Sequence, residues 1–169
     1  YRNNEIKPIV FPNILKKVAD HYNKAYVLIE INDLGQQVAD AMQFELEYDN
    51  MMMVTQRGRA GQVLGGGFSG RGNQLGLRMT KGTKKIGTSN LKSLIEGDKL
   101  IIQDFEIVSE LSTFISKGKS FEAENGAHDD LVMCLVIFSW CANQRYFKEL
   151  TNVDVRGQMF TDQKNAIEA

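Results

Sequence analysis

Cysteine and histidine are too scarce in this chain to build a zinc site. Cys134 and Cys141 are the only cysteines, and His21 and His128 the only histidines; a structural zinc centre takes four ligands, most often from those two residue types. On a shared helix the cysteines would be separated by about 10 Å of rise, beyond disulfide reach, so both read as core thiols of a reducing compartment. Long apolar runs are missing as well. None approaches the roughly 18 residues of a membrane span, and the N-terminal residues show no basic-then-apolar secretion signal, so no membrane partner is expected. Charge of one sign is also lacking: 20 basic residues against 21 acidic leave a net charge of −1, and any nucleic-acid surface must be local. Gly65-Gly66-Gly67 is not followed by the Gly-Lys-Ser/Thr of a phosphate-binding loop. No nucleophile elbow accompanies His128, so a Ser-His-Asp triad has little support.

The 169 residues suffice for one domain with a sizeable core. Residues 1–11 are ambiguous. From Pro12, suited to a first helical turn, Ile14, Leu15, Val18 and Tyr22 follow helical spacing. Residues 25–31 (AYVLIEI) read as a buried strand. Residues 34–45 read as a helix with Asp33 as a possible cap and Val38, Ala41 and Met42 inward, and 51–55 (MMMVT) as a second strand. Residues 56–86 break the pattern. Seven glycines fall between Gly58 and Gly72, which predicts a mobile loop. That stretch carries Arg57, Arg59, Arg71, Arg78, Lys81, Lys84 and Lys85 and no acid. A short helix is expected over 89–96 with Gly97 near its C-terminal cap, and a strand over 99–103. A helix over 105–116 follows, with Asp104 as cap and Phe105, Val108, Leu111 and Ile115 on its inner face. After a connection at 119–127, residues 130–147 form a helix apolar almost all round, hence deeply buried. Residues 1–147 thus read as one domain and 148–169 as a polar, mobile tail. The alternation of strands and helices points to a layered α/β fold.

Two sites could carry chemistry. Glu30 interrupts an apolar strand, and a buried carboxylate needs a cation or a metal beside it; a structural salt bridge or a strand-end position near solvent would account for it equally. His128-Asp129-Asp130 precedes the most apolar helix. Helix capping explains one aspartate there, but not a second one beside a histidine. Taken together, a strand glutamate and an aspartate at a distant helix start can converge at one end of a sheet. Hard oxygen ligands of that kind suit magnesium or manganese, and two such ions can drive phosphodiester hydrolysis. The basic stretch would then grip the DNA backbone, unless it is merely a solvated surface loop.

At these residues the chain resembles a known family. VLIEINDLGQQVADAM (27–42) resembles the region around the catalytic glutamate of tailed-phage (myovirus-type) large terminase nuclease domains. TKGTKKIGTSNLKSLIEGDKLII (80–102) resembles the segment that follows it there, and HDDLVMCLVIFSW (128–140) their C-terminal metal motif. The resemblance covers most of 12–147. It implies an RNase H-like fold of the RuvC/terminase type, a mixed sheet flanked by helices, and a Mg2+- or Mn2+-dependent endonuclease, with two ions in the complete domain, that cleaves double-stranded DNA during genome packaging in the cytoplasm of an infected host. It implies a terminase ATPase domain and the portal as partners. Carried over by position, Glu30 and Asp130 are catalytic metal ligands, Asp129 is a further ligand or a supporting group, and His128 orients a carboxylate or touches DNA. The family's opening β-hairpin, which carries another catalytic aspartate, has no counterpart here, and Asp20 and Asp33 lie in the wrong context to replace it. The lost strands are expected to expose the edge of 25–31, to be covered by residues 1–11 or by a second copy in a homo-oligomer. Two other functions stay open: a catalytically incomplete module that only binds DNA or the portal, and a RuvC-like resolvase.

Overall fold

The computed structural model describes residues 1–3, 5–58, 61–65, 72–118, 120–152 and 157. Helix α1 (Phe11–His21) starts on Pro12, as expected, and buries Pro12 and Ala19. Val18 and Tyr22, expected inward, are exposed, because the buried stripe runs through Leu15 and Ala19 instead. The chain then extends through residues 26–31. Val27 and Ile31 are buried while Tyr26 is exposed, the two-residue alternation of a half-buried strand. A regular strand does not form. Instead there are two isolated parallel bridges, Val27 to Met51 and Glu30 to Leu77. The first half of the segment meets the lead-in to one strand and the second half the tail of another, so no neighbour runs alongside long enough for a ladder. All of this pairing uses Val27, Ile29 and Ile31, which face one edge; the N–H and C=O groups of Leu28 and Glu30 on the other edge have no backbone partner among the described residues.

Helix α2 (Gly35–Asp40) continues into a π-helical turn, Ala41–Glu45, and buries Val38, Ala39 and Met42. Its cap is Leu34 with no side-chain bond. Asp33, expected there, takes a left-handed backbone conformation, φ 48°, and stands one residue before the cap position.

The glycine-rich stretch is the largest departure from the sequence reading. Strands β1 (Met53–Arg57), β2 (Gly61–Leu64) and β3 (Asn73–Leu75) form an antiparallel sheet in the order β2-β1-β3. Gly58, Gly61, Gly65 and Gly72 take positive φ at the ends of these strands, while Gly66, Gly67 and Gly70 lie outside the described residues. Gly76, with φ 98°, follows β3 where a Cβ would lie 2.3 Å from the Ile29 carbonyl oxygen, so only glycine lets Leu77 reach the extended segment. Arg59 and Arg71 lie outside the described residues.

Helix α3 (Lys81–Glu96) is twice as long as the 89–96 expected. Thr80 caps it, its Oγ1 accepting from Thr83 N–H at 3.1 Å. Gly82 and Gly87 hid this first half, since glycine weakens a helix by about 1 kcal/mol. Gly87 is required by packing: a Cβ there would lie 2.6 Å from the Val136 carbonyl oxygen of α5 (Asp130–Ala142). Past Gly97, Asp98 takes the left-handed conformation, and the Lys99 and Leu100 N–H groups turn back to Leu94 O. That turn replaces the strand expected at 99–103 and leaves Ile101 exposed.

Helix α4 (Phe105–Ser112) is capped by Asp104, as expected, through Ile107 N–H. Of its expected inner face Leu111 packs on the core, but Phe105 and Val108 are exposed, because the helix turns Glu110 inward; Ile115, also exposed, lies beyond the helix in the strand that follows. A hairpin of β4 (Phe114–Lys117) and β5 (Ser120–Ala123) occupies the expected connection. In α5, Val132, Val136, Trp140 and Cys141 are buried, whereas Phe138 and Cys134 are exposed; only one of the cysteines is a core thiol. The helix ends at Ala142 rather than 147, and residues 145–152 form a further helical segment. Phe147 and Leu150 pack there on the cluster of Val54, Leu77 and Trp140; most of the stretch read as a tail, 153–156 and 158–169, lies outside the described residues. No helix among the described residues is long and apolar enough to cross a membrane.

Candidate active site

Three structural events bring the sequence-predicted acids into position. First, Asn32 locks the end of the Glu30 segment to the chain that launches α3. Its Nδ2 donates to Met79 O at 3.0 Å and its Oδ1 accepts from Met79 N–H at 2.7 Å. A side-chain amide so continues the Glu30–Leu77 pairing by one more step. Second, the Thr80 cap one residue later starts α3 and carries Lys84 toward α5. Third, the close approach at Gly87 seats α3 against α5, at whose start Asp129 and Asp130 stand.

Glu30 is half-buried, and burial raises its carboxyl above the ordinary value near 4.5. Lys84 opposes that rise, while Asp33 and Asp129 add to it. These four charges therefore share one electrostatic neighbourhood. Lys84 Nζ lies 3.4 Å from Asp129 Oδ2 and 5.6 Å from the centre of the Phe114 ring of β4.

The capping explanation for the aspartate pair is answered directly. Asp129 occupies the cap position of α5, yet its side chain makes no cap hydrogen bond. Glu110 does that work from α4: its Oε2 accepts from Leu131 N–H at 2.8 Å and Val132 N–H at 3.1 Å. Arg2 balances the buried Glu110 through Oε1 at 3.2 Å. Asp129 is thereby left to face Lys84 and Glu30. Asp130 points elsewhere: its side chain is 68% exposed and its nearest cation is Arg2 at 3.8 Å. His128 is exposed and lines an open cavity of about 320 Å³ with Arg2, Phe105 and Glu110; among the described residues its ring bonds no carboxylate.

The basic residues divide in two. Arg57, Arg78, Lys81 and Lys85 are exposed, and Lys84 is turned into the acidic site. Lys81, Lys84 and Lys85 occupy the first helical turns of α3, with no acid in the first turn. That charge opposes the helix dipole, an arrangement that suits an incoming anion better than it suits the helix. Asp20 lies by Tyr48 rather than the site, whereas Asp33 reaches Glu30 electrostatically. Asn32 and Glu110 were missed in the sequence, and Asp33 was set aside there as a carboxylate in the wrong context. Only Asp33 left a signal there, three residues after Glu30.

The sequence model of the family described as Terminase RNaseH-like domain matches residues 1–138. The chain belongs to that family. It is a terminase nuclease-type domain of mixed α/β, RNase H-like architecture. The family is one of phage DNA packaging, and RNase H-like nuclease folds generally employ divalent metals. Glu30, Asp129 and the basic start of α3 all fall within the matched span. Among the described residues no three His, Cys, Asp or Glu side chains converge as a finished metal cage. The donor chemistry of Glu30 and Asp129 nevertheless fits a hard divalent cation, and the Lys84 ammonium already stands at Asp129 as its cationic partner.

Proposed function

We propose that this terminase domain is a divalent-metal-dependent endonuclease that cuts double-stranded DNA during genome packaging, with Glu30 and Asp129 as its principal ligands. The observation that supports it most is the release of Asp129 from capping: Glu110 satisfies the start of α5, and Asp129 faces the lysine that also acts on Glu30. A helix start that needed only a cap would use the aspartate already there. Asp130 is a solvent-side ligand that can join from the rim, and Asp33 is the nearest further carboxylate. His128, in its cavity by α4, is placed for DNA rather than for either ligand.

Mg2+ or Mn2+ bound at these carboxylates, two ions in the complete site, would supply an activated water and stabilise the leaving oxygen. The chain's own residues do the rest. Glu30 and Asp129 hold the negative charge, the half-buried setting of Glu30 keeps bulk water from screening it, and Arg57, Arg78, Lys81 and Lys85 seat the DNA phosphates. The terminase ATPase domain and the portal are the assembly partners this function requires, and the bacterial host cytoplasm is its place.

A second reading, a module that binds DNA or the portal without cutting it, draws on the pair-wise rather than triple convergence of carboxylates. Cleavage of plasmid in Mg2+ or Mn2+ separates the two. The nuclease reading expects cutting by the native chain and none by Glu30→Ala. Equal cutting by both proteins, or duplex binding with no cutting by either, goes against it. A branched substrate cut in preference to linear duplex would point to a resolvase instead.

A further inference from the structure

Lys84 is unlike the cations around it. Its side chain is 18% exposed, whereas Lys92, further along the same helix, is 72% exposed. A lysine drawn in this way gives up hydration and rotamer freedom. An ion pair returns little of that unless the partners need neutralising. Here they do: Glu30, Asp33 and Asp129 repel one another, and Lys84 is the cation that acts on Glu30. Its hold on Asp129 is loose. The 3.4 Å contact is longer than the roughly 2.8 Å of a strong charge-assisted bond, and the same ammonium lies over the Phe114 ring, 5.6 Å from its centre, so it is shared between two weak partners.

We propose that Lys84 is the built-in counter-cation of the carboxylate pair: it holds the cation position at Asp129 until the carboxylates take up a divalent ion, and then turns to a phosphate oxygen of the bound DNA. The inference rests on the metal-site reading above and adds to it an order of events. Metal uptake frees a positive charge, and that charge strengthens the grip on the backbone. Metal and DNA binding are thereby coupled through one side chain. The neighbouring Lys81 and Lys85 are exposed and would bind phosphate whether or not metal is present.

The test uses the whole chain and reads binding rather than cleavage. Calorimetry with Mn2+ alone compares the native chain, Lys84→Met, Glu30→Gln and the double variant. Methionine keeps an unbranched stem and removes the competing charge. Lys84→Met should bind Mn2+ about tenfold more tightly, the scale on which groups touching metal ligands tune affinity, and the gain should vanish in the double variant. Unchanged or weaker binding by a folded Lys84→Met overturns the inference. If Lys84→Met does not fold, Lys84→Arg replaces it. The fixed fork of arginine should hold Asp129 harder and weaken Mn2+ binding; unchanged affinity overturns the inference. Glu30→Gln binding Mn2+ as the native chain does would instead remove the metal site itself, a distinct result. Binding of a linear duplex of mixed sequence completes the test. With Ca2+ present, Lys84→Met should lower the salt slope by about one counterion, and without a divalent ion it should leave the slope unchanged. Equal slopes under both conditions overturn the transfer to phosphate.

Discussion

Glu110 Oε2 receives the Leu131 N–H at 2.8 Å, so one helix caps the next from the side. The carboxylate is 6% exposed as a residue, and its other oxygen is matched by Arg2. Removing it would strand Leu131 and Val132 N–H groups at the head of a buried helix and leave Arg2 unpaired. Glu110→Ala should therefore destabilise the fold by about 3 kcal/mol, the lower end for breaking a buried pair, because Arg2 keeps partial access to water. Glu110→Gln, which retains an acceptor, should lose about half as much. Urea denaturation measures both; equal losses would mean the N–H groups do not matter.

Asp130 gives a contrast. It is mostly exposed and 3.8 Å from Arg2, the setting of a surface pair worth about 0–1 kcal/mol. Asp130→Asn should leave the melting temperature nearly unchanged and lower Mn2+ affinity far less than Asp129→Asn. A larger loss of affinity from Asp130→Asn would exchange their roles.

Glu30 sets a pH dependence. Burial raises its carboxyl above the ordinary value near 4.5, so the folded chain keeps this proton to higher pH than the unfolded chain does. Its contribution to stability is fully present below about 4.5 and is lost as pH rises through the raised value. Glu30→Gln escapes that loss. Without metal, its melting temperature relative to the native chain should stay flat in acid and climb as pH rises through that window. A difference independent of pH would show that Glu30 is not desolvated in the fold.

Gly87 tests the seating of α3 on α5. Alanine there would gain about 1 kcal/mol of helix propensity. It would also push a methyl group to 2.6 Å from the Val136 carbonyl oxygen, and overpacking costs about 1–3 kcal/mol. Gly87→Ala should be net destabilising and should weaken metal binding by moving Asp129, at the start of α5, away from Glu30. A stabilised variant would mean the helices have room to part.

The cysteines should differ in reactivity. Burial pushes the Cys141 thiol up to about 12 and raises that of Cys134 too, but Cys141 is buried and Cys134 is exposed to reagent. Iodoacetamide at pH 8 should modify Cys134 first and Cys141 only on unfolding. Simultaneous modification of both would place α5 nearer the surface.

What could be read in advance followed from local chemistry. Asp104 and Pro12 announced their helices because a cap and a first-turn proline act on the backbone within four residues. Glu30 and the Asp129-Asp130 pair stood out because a carboxylate in an apolar strand, and a surplus aspartate at a helix start, each demand a reason. Illegible were the choices made by distant partners. The first half of α3 looked too glycine-rich for a helix until Val136 showed why Gly87 must be small. The β2-β1-β3 sheet hid among glycines that serve its turns. Glu110 sat on what looked like the outer face of α4, and nothing in its own neighbourhood said that it would cap α5. That long-range bond is the reason Asp129 is proposed as the ligand, where the sequence reading favoured Asp130. Phe105 and Val108 misled for the same reason: helical spacing identifies an apolar face, but not what covers it.

The most direct measurement of the central claim is a double-mutant cycle on Mn2+ affinity with Glu30→Gln, Asp129→Asn and the double variant. If the two carboxylates hold one ion, each single change should remove most of the binding and the second should add little, giving strong non-additivity. Losses that add independently would mean that Glu30 and Asp129 serve separate sites, and the proposed centre would be wrong.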